Sequence, residues 1–410
     1  MRFHAARQPI LDANQHLFAY ELLFRDGVTN AFPNIDGDEA TSKIIAGSQF
    51  DFSLSDLTGN KPAFINFTYA TISKKYPELI PNTDIVVEIL ETEKPTKKLL
   101  KEVIELHEAG YKVALDDYVH EAVWLHFFPY VSIIKVDFIE ASTEQIKEIV
   151  NLITKFPHIE LLAEKVETYH EFEIAKTLGF KYFQGYFFSK PQMVEAKTLT
   201  PSQMSLTKLL LEVNKTELNI PQIASTFELD INLAYKLLRY CNSATFKRRT
   251  EISTIKQALI VLGKKELQKF LCVLFSAQLA SDKPPELMAM SLTRACFIEG
   301  LAMESVKFKD SSVGFLTGML SLIDVILGEE MHDAMEKLPL SNDIKSALIS
   351  GDGILANLLN VTRAYETLNW KLAEEELALL EINEDKVPMI YERATQWANE
   401  QMKFILTTHH

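Results

Sequence analysis

Cysteine is scarce, with three in 410 residues. Cys241, Cys272 and Cys296 form no C-x-x-C pair, so a disulfide framework and a cysteine zinc site are both excluded. Each lies in an apolar stretch, where a lone cysteine is expected to act as a small core residue. Long apolar runs are missing as well. The longest, Phe270 to Ala280, is interrupted by Ser276 and Gln278 and falls far short of the ~20 residues of a membrane span. Met1-Arg2-Phe3-His4 leads into polar residues, so no secretory signal is expected. Positive charge is in deficit: 42 basic against 56 acidic residues give a net charge of −14. Such a surface repels nucleic-acid polymers and anionic membranes, so neither is an expected partner. The expected location is the cytoplasm. No internal repeat or low-complexity tract is present.

What is present is an ordinary globular composition, 47% hydrophobic and 24% charged, long enough for two domains or three. The halves differ in period. Up to about Pro191, short apolar runs alternate with helical stretches. The runs are Ala63–Asn66, Ile85–Glu88, Lys112–Asp116, Ile133–Lys135 and Leu161–Glu164, rich in Val, Ile or Leu as buried parallel strands are. Thr96–Ala109 reads as an amphipathic helix closed by Gly110, and Thr143–Lys155 and Tyr169–Leu178 behave similarly. This cadence predicts an α/β fold with a parallel sheet.

From Pro201 the strand signal disappears. Ser202–Val213, Pro221–Phe227, Ile231–Cys241, Thr254–Val261, Lys264–Leu279, Ser291–Val306, Val313–Leu327, Leu355–Leu368 and the tail from Pro388 all read at a helical period. This half is predicted to be all-α. Lys190-Pro191 and Thr200-Pro201 bracket the changeover.

Nearly every predicted strand ends in a residue that binds metal or phosphate. These are Glu21, Asn66, Glu88, Asp116 with Asp117, Lys135, Glu164 with Glu167, and Gln184. In a β/α barrel the carboxyl ends of the strands open onto one face, so these side chains would converge. Converging carboxylates repel unless a cation lies among them. With oxygen donors and no His or Cys, Mg²⁺ or Mn²⁺ is favoured over zinc, and two such ions suit phosphoester hydrolysis.

These residues resemble the EAL phosphodiesterases of the bacterial second messenger cyclic di-GMP. Glu21-Leu22-Leu23-Phe24-Arg25 is similar to the family's E-x-L-x-R, and Ile65-Asn66, Val87-Glu88-Ile89 and Leu115-Asp116-Asp117 to its next motifs. Ile134-Lys135-Val136-Asp137 resembles K-x-D. Ala163-Glu164-Lys165-Val166-Glu167-Thr168 resembles A-E-G-V-E-T, with lysine at the glycine position. Gln184 to Pro191 is nearly the whole Q-G-Y-x-F-S-K-P. The resemblance implies one ion on Glu21, Asn66, Glu88 and Asp116 and a second on Asp116, Asp117 and Glu164. It implies a catalytic set of Lys135, Glu21 and Glu167, with Lys135 orienting or deprotonating the attacking water and Glu167 supporting the ligands. Arg25, Gln184 and Asp137 would bind substrate. One motif departs: where the family has F-G-x-G, this chain has Tyr118-Val119-His120-Glu121-Ala122, without glycine.

The second half resembles the HDOD domain, a relative of the HD phosphohydrolases without their metal site. Leu237 to Phe246 is similar to its L-L-R-x-A-N-S-A-x-F signature, and Ile252–Leu259 with Leu262-Gly263 to the following segment. Gly318 to Asp324 carries Ser-Leu where HD enzymes carry His-Asp, and His332-Asp333 is expected to be a solvated helix start. Lys247-Arg248-Arg249 is expected to be a solvated turn and Gly263-Lys264-Lys265 a helix boundary. Ile220–Cys241 has the length of a helix-turn-helix, but Leu233, Leu237 and Leu238 point to core packing. Trp124–Phe128 reads equally as partner surface or packing element.

The expected architecture is an EAL-type TIM-like β/α barrel over 1–196, with peripheral helices trimmed, and an all-α HDOD domain over 197–410. The expected function is metal-dependent hydrolysis of cyclic di-GMP to linear pGpG, with the HDOD half regulating or binding a protein partner. A catalytically silent receptor or scaffold is the alternative, and a homodimer is left open.

Overall fold

The computed structural model describes residues 4–25, 54–189, 206, 209, 212–213, 218–242, 252–279, 283–308, 311–336, 338 and 340–407. The chain divides into two units, Met1–Lys190 with Tyr365–Asn369 and Pro191–Ala364 with Trp370–His410. The expected boundary at 196/197 lies outside the described residues.

The first unit is an eight-stranded closed barrel. Its strands are β1 His4–Asp12, β2 Leu17–Arg25, β3 Ala63–Phe67, β4 Ile85–Ile89, β5 Lys112–Leu115, β6 Ile133–Asp137, β7 Glu160–Glu164 and β8 Tyr182–Gln184. From β2 to β8 neighbours pair in parallel, as expected. β1 departs from that expectation and runs antiparallel to both β2 and β8. The reason is local. Only residues 13–16 join β1 to β2, too few for a crossover and enough for a hairpin. Asp12 Oδ1 holds that turn, accepting the N–H groups of Asn14 at 2.8 Å and His16 at 2.9 Å.

The helices that cover the sheet start on caps written in the sequence. Lys97–Glu108 begins at Thr96, whose hydroxyl accepts Leu99 N–H, and Gly110 beyond its end takes φ 86°. Thr143–Ile153 and Tyr169–Thr177 each begin in a capping box, Ser142 with Gln145 and Thr168 with Glu171. Such a box satisfies two orphan N–H groups at once. Between β5 and β6 the chain forms only two 3₁₀ turns, Ala122–His126 and Phe128–Tyr130. Trp124, Phe127 and Phe128 there are buried, so this segment is a packing element.

Each strand gives one side chain to a central apolar layer: Ile10, Ala19, Phe64, Val86, Ala114, Ile133, Leu162 and Tyr182. Because side chains alternate along a strand, the residue two positions on faces the interior again. In β2 to β8 those residues are Glu21, Asn66, Glu88, Asp116, Lys135, Glu164 and Gln184. In the reversed β1 the count runs backwards, to Gln8. A polar layer therefore lies directly over the apolar one, at the carboxyl end of the parallel strands.

In the second unit every regular element among the described residues is a helix. Ile220–Glu228 and Ile231–Cys241 bury Ile223, Phe227, Leu233 and Leu237 in a core, as a packing pair would. The signature residue Asn242 clamps the following segment. Its amide donates to Ile252 O and its Oδ1 accepts Ile252 N–H, both at 2.8 Å. Ile255–Leu279 is interrupted at Gly263, which takes φ 66° and makes the expected boundary. Pro285–Glu304 starts earlier than the predicted Ser291–Val306. The single helix expected over Val313–Leu327 is two, Ser312–Leu320 and Ile323–Leu327. At the break, Ser321 Oγ donates to Gly318 O at 2.8 Å and accepts from Arg294 Nη1 at 3.0 Å. Ile354–Glu366 and Val387–Thr407 lie where the helical period predicts them, and Met331–Glu336, Asn342–Ile349 and Trp370–Leu380 are further helices.

Cys241 and Cys272 are buried, and burial pushes the Cys272 and Cys296 thiols up to about 12. His332 and Asp333 are exposed, as expected of a solvated helix start. Lys247-Arg248-Arg249 lies outside the described residues. Among the described residues no helix is long and apolar enough to cross a membrane.

Candidate metal centre

The polar layer converges on one ammonium. Lys135 Nζ donates to Asp116 Oδ1 at 2.7 Å and lies 2.7 Å from Glu164 Oε1 and 3.4 Å from Glu21 Oε2. It also forms an ion pair with Glu88. Around this centre the amides hold the acids in place. Gln184 Nε2 donates to Glu21 Oε2 at 2.6 Å and to Gln8 Oε1 at 2.9 Å, and Asn66 Nδ2 lies 3.4 Å from Glu21 Oε1. Glu21, Asn66, Glu88, Lys135, Glu164 and Gln184 are all buried.

One positive charge faces four carboxylates here, and burial makes that imbalance costly. Burial, then the charges of neighbouring acids, push Glu88 and Glu164 well above the usual carboxylate range, with Lys135 opposing. Asp117 is pushed up by burial and then by Asp116. For Lys135, burial alone would lower the pKa. Asp116, Glu164, Glu21 and Glu88 outweigh it and hold the side chain as an ammonium. An ammonium donates and does not accept a proton, so this environment suits orienting a water better than deprotonating one.

The donors left over fit a hard cation. Asn66 Oδ1, Glu88 Oε2, Asp117 Oδ1, Glu164 Oε2 and Gln184 Oε1 are buried and accept no hydrogen bond. All are oxygens of the kind Mg²⁺ and Mn²⁺ prefer. Among the described residues, Asp116, Asp117 and Glu164 form the group of three whose ligand atoms lie within 4.8 Å of one another. Glu21, Glu88 and Asp116 also meet, around the Lys135 ammonium.

The other predicted residues are placed differently. Asp137 is buried, and its Oδ1 accepts the N–H groups of Ile139 at 2.6 Å and Glu140 at 3.0 Å. Its second oxygen pairs with Lys165, so its carboxylate is fully engaged in supporting this turn. Glu167 is exposed, and its N–H donates to Glu171 Oε2 at 2.8 Å. Arg25 ends β2, and its side chain lies outside the described residues.

The glycine-free loop finds another route. Asp117 itself turns the chain, at φ 37°. Tyr118 is then buried against Phe128, with ring centroids 5.9 Å apart, and its hydroxyl meets His120 Nδ1 at 2.8 Å. Gly185 is needed where it stands. At φ 145° it passes so close to Val166 that a Cβ would collide with that residue's backbone. Gln8 was not singled out from sequence. Its signal is its place two residues before the apolar Ile10, visible only once β1 is known to run backwards.

Fold and site together define a β/α-barrel protein with a candidate divalent-metal centre at the carboxyl end of its strands, carrying a helical second unit. Comparison with known proteins narrows that class. The EAL domain model matches residues 38–191 and the HDOD domain model residues 199–381. The chain is 35% identical over 404 residues to cyclic di-GMP phosphodiesterase CdgJ of Vibrio cholerae, covering 98% of this chain and 94% of that one. It is 31% identical over 410 residues to the uncharacterized protein YuxH of Bacillus subtilis, covering 98% and 99%. The Klebsiella pneumoniae protein BlrP1, in complex with calcium and cyclic di-GMP, is 23% identical with a TM-score of 0.36. That match covers 47% of this chain and 56% of that one. The chain belongs to the EAL–HDOD family.

Proposed function

We propose that this chain is a cyclic di-GMP phosphodiesterase that opens its substrate to linear pGpG, working in the cytoplasm. The observation that carries this reading is the polar layer: four strand-end carboxylates and Asn66 around Lys135, with buried oxygens left unbonded. Glu21, Asn66, Glu88 and Asp116 would hold one Mg²⁺ or Mn²⁺, and Asp116, Asp117 and Glu164 the other. Bound ions would supply Lewis-acid stabilisation and a nucleophile at neutral pH. Lys135 orients the attacking water and offsets acid charge. Gln184 fixes the rotamer of Glu21 and reaches the substrate side, and Arg25 grips a phosphate. Asp137, its own oxygens engaged, contributes beside the substrate only by holding Lys165 in place, and Glu167 supports the turn after Glu164. The HDOD unit, divided from the barrel near 196/197, regulates turnover or binds a protein partner.

The test is a time course of the full-length protein with cyclic di-GMP and Mn²⁺, separating substrate from linear dinucleotide. Turnover is expected, and Glu21→Ala should lower it by about 100-fold or more, as loss of a ligand to a reacting-centre ion does. Unchanged hydrolysis in Glu21→Ala would overturn the reading. A second reading, a receptor that binds without turnover, is favoured by the glycine-free loop in which Asp117 makes the turn itself. Stable binding with no product over the time course would select it.

A further inference from the structure

Lys165 occupies the position at which the motif A-E-G-V-E-T has glycine. It takes φ 53°, a left-handed conformation that costs an L-residue about 1 kcal/mol. A glycine would avoid that cost. The Lys165 side chain reaches across the carboxyl end of the barrel to two acids from different strand ends. Nζ pairs with Asp137 and lies 3.8 Å from Asp117 Oδ2. The Asp137 end of this contact is fixed, because Ile139 and Glu140 N–H groups hold its Oδ1. At the other end Asp117 turns Oδ2 to Lys165, while its Oδ1 is buried without a hydrogen bond. Asp117 is also one of the three acids, with Asp116 and Glu164, whose ligand atoms cluster within 4.8 Å.

We infer that Lys165 is a tethered cation that competes with a divalent ion for Asp117 and weakens loading of the Asp116–Asp117–Glu164 position. The inference rests on the reading that this position holds such an ion. Lys165 is a positioning residue, acting through Asp117. Anchored by Asp137, its ammonium stands at the edge of the ligand group, where a second positive charge repels an incoming ion and holds Asp117 away from it. Occupancy of this position then follows the free metal concentration over a range in which a glycine-bearing site would already be filled.

The test uses Mn²⁺ alone, titrated into the full-length protein, with free Mn²⁺ read by electron paramagnetic resonance. Lys165→Met removes the charge and keeps the length. It should tighten the Asp116-dependent binding about ten-fold, the scale of one unit charge a few ångströms from a divalent ion in a partly solvated site. Lys165→Arg keeps the charge and should bind as the parent does, whereas the tightening in Lys165→Met is an outcome a purely structural role for the side chain would not produce. If Lys165→Met does not fold, Lys165→Gly carries the same test, since glycine accepts the backbone conformation. Unchanged or weaker Mn²⁺ binding in the uncharged variants, with parent binding still lost in Asp116→Asn, overturns the inference and leaves the metal site standing. Parent binding that Asp116→Asn does not alter removes the site and the inference together.

Discussion

Replacing Lys135 by methionine removes the ammonium that meets Glu21, Glu88, Asp116 and Glu164 while nearly preserving side-chain volume. All four acids then face one another without a counter-charge in the barrel interior. Removing one partner from a buried ion cluster typically costs about 3–5 kcal/mol. In a unit of this size that is roughly 10 °C in midpoint. The loss depends on pH in a definite direction. Lys135 has a raised pKa in the fold, so its contribution is fully present below the ordinary lysine pKa and fades only above it. Glu88 and Glu164 are raised as well, so the native state holds their protons at pH values where the unfolded chain has released them. Stability therefore falls as pH rises through that window, and the variant's deficit is largest on the alkaline side. It shrinks as the pH drops and the acids take up protons. Hydrogen exchange of peptides covering β3 and β4, at pH 8 and pH 5.5 without added metal, reports the barrel separately from the helical unit. A deficit below about 1 kcal/mol at pH 8, or one that grows toward pH 5.5, would refute the reasoning.

Gly185→Ala should destabilise the barrel by about 2 kcal/mol or more, because a Cβ there meets the Val166 backbone at a φ that L-residues rarely adopt; a thermal midpoint equal to the parent's would show that the turn has room. Asn242→Ala removes both hydrogen bonds to Ile252 and should cost the helical unit about 1 kcal/mol. Exchange of the Ile252 amide reads this directly, and protection that survives the substitution would mean the clamp is not needed.

Most of the candidate site was legible because the barrel writes it at a constant offset. Phe64 and Asn66, Val86 and Glu88, Ile133 and Lys135, and Leu162 and Glu164 are each an apolar residue followed two positions later by a polar one on the same interior face. Strand ends rich in acids therefore pointed to one layer before any pairing was known. Gln8 escaped because the rule reverses in an antiparallel strand, and the direction of β1 is set by a turn, not by its own residues. The fourfold pairing of Lys135 is a fact of closure in space that no single strand carries. In the helical unit, the break at Ser321–Leu322 was invisible to period because both sides continue an apolar pattern. Arg294, distant in sequence, supplies the partner that stabilises it.

The antiparallel closure of β1 on β8 also sets an order of events. Ile10 pairs with Gln184, 174 residues further along the chain. During synthesis Glu21, Glu88 and Asp116 emerge before Lys135, the charge that balances them, and Gln184 last of all. Long-range closure of this kind is slow, because the loop must be ordered before the contact is gained. The polar layer is complete only when β8 closes on β1 and brings Gln184 to Glu21. Any premature stop upstream of β8 yields a chain that presents acids yet encloses no site.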